Sequence, residues 1–350
     1  MMRRTSVSRL LGKKKWLGAL LGLAVAFGAA GCGNSADKQM LQGEVEPPKA
    51  RSATEQVGQA GAQGELQTAK STVYPLKISD STGKEFTFEK APERIVSVSP
   101  SETEILFALG LGDRVIGVSD FCDYPAEAAA KPKMGSIVKP NEEALLAANA
   151  DVILSGVSLN MPAVEHLREL KLSVFKVEPK TMDDVMNNIL MFGQIFDKQE
   201  QAENIVGSMK ADRQKVTDAV KQLTPEQRKR VFVEFAPGWT VGKGEYIDEL
   251  VTLAGGVNIA ADTEGYAQFN EEQVIAANPQ VILYPHNLVD DSSKKTMDQI
   301  IRERSGWAQI DAIKNNRLVG LDTNIISRPG PRLGEALVAV AKGLYPALVK

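Results

Sequence analysis

The residues in this chain best suited to chemistry fall into three groups. The first is a repeated pair of carboxylates. Asn141-Glu142-Glu143 opens the stretch Asn-Glu-Glu-Ala-Leu-Leu-Ala-Ala-Asn-Ala-Asp-Val-Ile-Leu154, which returns 129 residues later, from Asn270-Glu271-Glu272, as Asn-Glu-Glu-Gln-Val-Ile-Ala-Ala-Asn-Pro-Gln-Val-Ile-Leu283 without a gap. Such glutamates can do either of two things. They can complement a helix N-terminus capped by the asparagine, or they can offer an ion-pairing point to a partner. The second group is aromatic: Trp239 in the turn-rich Pro237-Gly-Trp-Thr240, and Tyr266 after Gly265 in a polar loop. A ring held in such a place offers a broad flat face for stacking on a ligand, or is merely a half-exposed loop residue. The third group is cationic. Arg328 and Arg332 flank the rigid turn Ser327-Arg-Pro-Gly-Pro-Arg332. Arg328 could meet an anionic ligand, whereas Arg332 reads as a structural residue of the following helix start.

Catalytic signatures are missing. There is no Gly-x-Ser-x-Gly elbow and no Gly-x4-Gly-Lys-Ser/Thr phosphate loop. Gly110-Leu-Gly112 starts like a dinucleotide fingerprint but lacks the third glycine, so it reads as a helix-end turn. With 2 histidines (His166 and His286) and 2 cysteines (Cys32 and Cys122), three-histidine metal sites, multi-cysteine clusters and a disulfide framework are excluded. His286 follows Tyr284-Pro285 at a strand end and reads as a loop residue, and Cys122 as a small thiol without a redox partner. A net charge of -3 gives no basic field, so nucleic acid is not an expected partner. The chain therefore reads as a binder without cofactor or metal. A secreted α/β enzyme is the rival of another class, and a metal carrier or a structural surface lipoprotein are further rivals.

These residues need elements to position them. From Tyr74 onward, short β-rich runs alternate with amphipathic segments. Strands are expected at Arg94–Val98, Asp151–Leu154, Leu172–Val177, Arg230–Phe235, Gln280–Tyr284 and Arg317–Leu321. Helices are expected at Glu102–Leu109, Glu142–Asn149, Met161–Leu170, Tyr246–Ala254, Glu271–Ala277 and Thr296–Arg304, with a last one from Arg332 to Leu348. This is the alternation of an α/β fold with largely parallel sheets. The repeat, and a fainter echo between Glu104–Gly110 and Glu249–Gly255, predicts two similar lobes. The expected lobes are 74–180 and 223–350. Between them, 181–222 has helical spacing and an N-terminal Thr181/Asp184 capping pattern, which predicts one long bridging helix. A ligand cleft between the lobes follows.

The first 31 residues read as a secretory signal. Arg3, Arg4, Arg9 and Lys13 to Lys15 precede an apolar run from Trp16 to Ala30 that ends in Ala29-Ala-Gly31 before Cys32. The run is shorter than the roughly 20 residues that span a bilayer. Small residues directly before a cysteine resemble the bacterial lipobox, although Ala29 stands where that motif usually carries leucine; the resemblance implies lipidation of Cys32. From Gly33 to Val73 no aromatic residue occurs and Gln, Ala, Gly, Glu, Lys and Ser dominate. Residues 32–73 thus read as a lipidated cysteine and a flexible tether with a mean reach of roughly 35 Å.

From Tyr74 to Lys350 the chain resembles the cobalamin and ferric-siderophore class of ABC importer solute-binding proteins. The resemblance rests on Pro92-Glu-Arg-Ile-Val-Ser-Val-Ser-Pro-Ser-Glu-Thr-Glu104, on Asp123-Tyr-Pro125 with Lys133-Met-Gly135, and on the paired Asn-Glu-Glu helices. It implies two α/β lobes bridged by a helix. The stretch Cys122-Asp-Tyr-Pro125 looks most like the cobalamin-binding branch, where rings line the cleft. Carried over, Phe121, Trp239 and Tyr266 fall at aromatic ligand positions with Tyr124 beside the first, while Ile137 and Gly156 stand where that branch has large rings. The implied ligand is a corrinoid, with a ferric siderophore or haem as the alternative. The resemblance further implies that Glu143 and Glu272 pair with arginines of a permease dimer, Glu142 and Glu271 being the alternative pair. A monomer at the extracytoplasmic face of the cell membrane is expected, delivering its ligand to a permease driven by ATPase subunits.

Overall fold

The computed structural model describes residues 70–349. The expected signal 1–31, the lipidation site Cys32 and the tether up to residue 69 lie outside the described residues. The last tether residues are not free. Thr72 donates its amide to Asp197 Oδ1 at 2.6 Å and its hydroxyl to the Gln194 carbonyl at 2.7 Å.

The described part opens with an antiparallel hairpin, β1 (Leu76–Ser79) and β2 (Glu85–Phe88), whose Phe86 and Phe88 rings pack on Phe175. The first lobe is then built on a four-stranded parallel sheet. Its strands are β3 (Ile95–Ser97), β4 (Val115–Val118), β5 (Val152–Ser155) and β6 (Val174–Lys176), in the order β4-β3-β5-β6. The helices between them are α1 (Pro100–Ala108), the short α2 (Ala126–Ala129), α3 (Glu142–Ala148) and α4 (Met161–Glu169). The strands are apolar on both faces, as a parallel sheet covered by helices requires.

The bridge is not one helix but two, α5 (Met182–Phe196) and α6 (Gln199–Val220). The Thr181/Asp184 capping box starts α5 as expected, but Asp197 turns left-handed at φ 57 and ends it. Gly193 explains the fold-back: a Cβ there would lie 2.6 Å from Ala202 Cβ, so only glycine lets the two helices cross so closely. The longer of the two is α6, about 33 Å at 1.5 Å per residue. It packs on α5 at one side and on the last helix at the other.

The second lobe carries β7 (Arg230–Ala236), β8 (Trp239–Val241), β9 (Val257–Asn258), β10 (Tyr266–Gln268), β11 (Val281–Pro285) and β12 (Leu318–Leu321). Its helices are α7 (Tyr246–Leu253), α8 (Glu271–Ala277), α9 (Met297–Glu303), the short α10 (Asp311–Lys314) and α11 (Thr323–Ser327), and α12 (Leu333–Leu344). Strands β7, β9, β11 and β12 pair in parallel. The parallel pattern breaks at β8 and β10, which extend the sheet as an antiparallel ribbon. Gly238, at φ 78, makes the reversal between β7 and β8 possible.

The repeat holds in three dimensions. Asn141 caps α3 by accepting from Ala144, and Asn270 caps α8 by accepting from Glu272 and Gln273. Both helices end at left-handed asparagines, Asn149 and Asn278, each at φ 45. Arg94 before β3 donates to the last carbonyls of α3, and Arg230 of β7 does the same for α8. One apolar core runs from Ile105 and Phe175 through Ile189 and Val206 to Leu250 and Leu337. It joins both lobes through the bridge, so their relative placement is set by packing as well as by linkers.

Candidate functional site

Parallel strands open at their C-terminal ends, and ligands of open α/β sheets sit there. A cavity of 360 Å³ occupies that position between the lobes. Val157 and Ser158 after β5, with Glu178 and Lys180 after β6, form its first-lobe wall. Phe235 of β7, Glu245 and Tyr246 at the head of α7, Tyr266 of β10 and Ser327 form the other.

Tyr266 therefore reaches the cleft, its ring edge-on to Phe235 with centroids 4.9 Å apart. Burial, with Glu245 nearby, pushes its phenol up, and burial pushes Tyr246 well up, so both stay neutral hydroxyls. Trp239, 39% exposed, faces Gln268 across the β8–β10 ribbon. This pairing puts it diagonally beside Tyr266 on one ribbon face. Phe235 and Tyr266 thus form an aromatic wall of the cavity that belongs entirely to the second lobe, and Trp239 extends it along the ribbon face outside the cavity's lining.

The first-lobe aromatics behave otherwise. Phe121 is 54% exposed in the loop after β4. Tyr124 does not join the aromatic wall: its ring lies under the Arg332 guanidinium at 3.9 Å and lines a separate 730 Å³ cavity with Ile205 and Ser208 of α6. Arg328 is likewise not an open anion site. It binds Glu104 at 3.0 Å, Asp123 at 2.7 Å and the Phe121 carbonyl at 3.2 Å. Arg332 grips both oxygens of the same Glu104, at 2.8 and 2.7 Å, so that buried carboxylate of α1 ties the second lobe to the first. Cys122 is buried, its thiol 3.1 Å from the hydroxyls of Thr103 and Ser119, and burial raises its pKa.

Gly156 is explained by what stands behind it. A Cβ there would lie 2.5 Å from Glu102 Oε2 and from Ser99 Oγ. Glu102 is 1% exposed, its Oε2 has no hydrogen-bond partner, and burial raises its pKa to about 7. Lys176, also buried, donates to the Gly156 and Leu159 carbonyls at 3.0 Å each. A large ring at 156 would collide with this cluster. Sequence reasoning missed Ser158, Glu178, Lys180, Phe235, Glu245 and Tyr246. Their only sequence signal is position just past, or just before, an element end.

The paired glutamates separate into two kinds. Glu142 is 3.2 Å from His166 and Glu271 is 3.3 Å from Arg304. Glu143 and Glu272 are exposed, and among the described residues neither has a cationic side chain within ion-pair distance.

The sequence profile named Periplasmic binding protein matches residues 95–325. The Bacillus subtilis protein described as uncharacterized ABC transporter substrate-binding lipoprotein YvrC is 30% identical, over 94% of this chain and 96% of its own. A vitamin B12-binding protein of Vibrio cholerae is 30% identical over 71% of this chain and 87% of its own length. The solved structure of the periplasmic vitamin B12 binding protein BtuF of that species covers 74% of this chain and 99% of its own, with a TM-score of 0.62 and 29% identity. The apo periplasmic heme-binding protein RhuT from Roseiflexus sp. RS-1 superposes with a TM-score of 0.64 at 25% identity, over 73% of this chain and 99% of its own. A structure from Staphylococcus epidermidis, described as a possible iron-binding periplasmic solute-binding protein, covers 73% of this chain and 100% of its own, with a TM-score of 0.62 and 28% identity. The chain belongs to the periplasmic binding protein family. It is the extracytoplasmic solute-binding component of an ABC importer, with a small-molecule ligand and a membrane permease as its partners.

Proposed function

We propose that this protein captures a corrinoid of the cobalamin type in the cleft and presents it to the permease. The observation that carries the reading is the aromatic pair of Phe235 and Tyr266 at the strand ends, with Trp239 beside Tyr266 on the same ribbon face, since a corrin ring is broad and largely apolar on its faces. The vitamin B12-binding relatives support it. A second reading, haem or a ferric siderophore, is favoured by the likeness to RhuT. Titration of the mature protein with cyanocobalamin, haemin and a ferric-siderophore panel separates the two, followed by tryptophan fluorescence. Trp239 and Trp307 are the tryptophans that remain after removal of residues 1–31. Tight quenching by cyanocobalamin is expected; quenching by haemin or a ferric siderophore alone overturns the reading.

Docking is assigned to Glu143 and Glu272. They are free to accept arginines, whereas Glu142 and Glu271 already have neighbours within their own lobes. Rim ion pairs orient a complex more than they tighten it. The double reversal Glu143→Arg with Glu272→Arg is expected to abolish uptake and to leave ligand affinity unchanged; normal uptake would sink the assignment. A lipid on Cys32 would hold the protein to the outer face of the membrane. In support, the match to the lipoprotein YvrC spans 94% of the chain, more than residues 70–349 alone can supply. One chain carries both lobes and both docking carboxylates, which suits a monomer. Metabolic palmitate labelling lost in Cys32→Ser is the expected outcome for the anchor.

A further inference from the structure

The cleft's charges point to a property of its ligand that goes beyond ring size. Lys180 is the cation among the cavity's lining residues, Arg328 and Lys176 stand next to lining residues, and each of the three is already committed. Lys180 Nζ lies 2.6 Å from Glu245 Oε1, across the lobe boundary. Arg328 is shared between Glu104 and Asp123, and only 11% of its side chain is exposed. Lys176 is 2% exposed, held by two carbonyls and 3.7 Å from Glu178. The carboxylates outnumber them, and Glu178 is 44% exposed towards the cleft. The remaining polar groups at the wall are hydroxyls: Ser158, Ser327, the neutral Tyr266, and Tyr246, which already donates to the Ile326 carbonyl.

We infer that the cleft is a charge filter: it accepts an uncharged, amide-bearing macrocycle and rejects polycarboxylate or catecholate chelates, with the Lys180–Glu245 pair as its main determinant. This rests on the corrinoid reading above and sharpens it. An anionic ligand entering the cleft loses water without gaining an uncommitted cation, and it meets Glu178. Freeing one would break an existing pair and leave a carboxylate behind. Peripheral amides carry no such penalty. Their N–H groups can donate to Glu178 and to the serine hydroxyls, and their carbonyls can accept from Tyr266.

Isothermal titration calorimetry with two matched pairs of probes tests this. One pair is dicyanocobinamide and dicyanocobyrinic acid, which share the dicyano corrin without a nucleotide loop and differ chiefly in amides against carboxylates. The other is haemin dimethyl ester and haemin. In whichever ring type binds, the uncharged member is expected to bind at least ~10-fold more tightly. In Glu245→Gln, which releases Lys180, that ratio is expected to narrow at least ~5-fold through a gain for the carboxylate member. Glu178→Gln, at an exposed position that does not threaten folding, is expected to narrow it by about 2- to 3-fold. Equal or tighter binding of the carboxylate member by the unaltered protein overturns the filter, as does an unchanged ratio in both variants. If only the porphyrin pair binds and obeys the rule, the corrinoid reading falls and the filter stands. If none of the four binds, both fall.

Discussion

Helices α3 and α8 share a cap, a terminator and an arginine on their last carbonyls, yet the two lobes hold their matching glutamates differently. In the first lobe Glu142 meets His166, and both side chains are about half exposed, at 48% and 52%. In the second lobe Glu271 meets Arg304, which is 10% exposed, grips the fully buried Glu234 at 2.8 and 2.6 Å and stacks on Trp307 at 4.3 Å. One of the two helices is therefore tied to a charge network rooted in the core, and the other to an exposed surface pair. The buried carboxylates differ in the same way. Glu234 has both oxygens paired, whereas Glu102 in the first lobe keeps one oxygen without a partner. Local sequence sets the helix; what lies behind it sets how its charges are held.

The largest expected effect comes from breaking the second-lobe network. Arg304→Met leaves Glu234 buried and unpaired, and urea unfolding should show a loss of about 3–5 kcal/mol. A loss no greater than that of His166→Ala would erase the contrast. Next is Glu102. Burial raises its folded pKa to about 7 from 4.5, so the folded state holds its proton more tightly than the unfolded chain. The protein's stability from this group is fully present below pH 4.5 and is lost as pH rises through about 7, so that Glu102→Gln should stabilise neutral-pH protein by up to about 3 kcal/mol and flatten that pH dependence. An unaltered slope in thermal melts between those limits would remove Glu102 as its source.

Smaller effects concern the cleft. Tyr266→Ala is expected to weaken cyanocobalamin binding about 10- to 100-fold and Trp239→Ala about 10-fold, whereas Tyr124→Ala should change it less than about 2-fold. A large loss at Tyr124 would mean that the first lobe supplies stacking area as well. The smallest effect is His166→Ala, expected to cost less than about 0.5 kcal/mol because its pair with Glu142 is exposed.

Most of the regular elements could be read from the sequence, because apolar period and end signals are local. Helix α8 was expected at Glu271–Ala277 and lies there, and the strand expected at Leu172–Val177 lies at Val174–Lys176. The two lobes followed from the repeat. Short pieces escaped, among them β1, β2, β8 and β10, since three or four residues carry too little pattern. Trp239 and Tyr266 could be singled out by their turn-rich surroundings, but only the antiparallel ribbon decides that they share a face.

The amino-acid order by itself determined the alternation of strands and helices, the doubled Asn-Glu-Glu cap and the aromatic candidates, all properties of residues near one another in the chain. The tertiary structure decided which charges are free. Arg328 and Arg332 lie more than 200 residues from Glu104 and still converge on it, separated by 224 and 228 positions. Gly193 is an indifferent residue in a helical pattern until Ala202 is packed against it, and then it divides the bridge in two. Glu143 and Glu272 stand apart from their neighbours for the same reason. Glu142 and Glu271 are engaged by groups brought in by other elements, and pairing across such distances is written in packing, which no local spacing records.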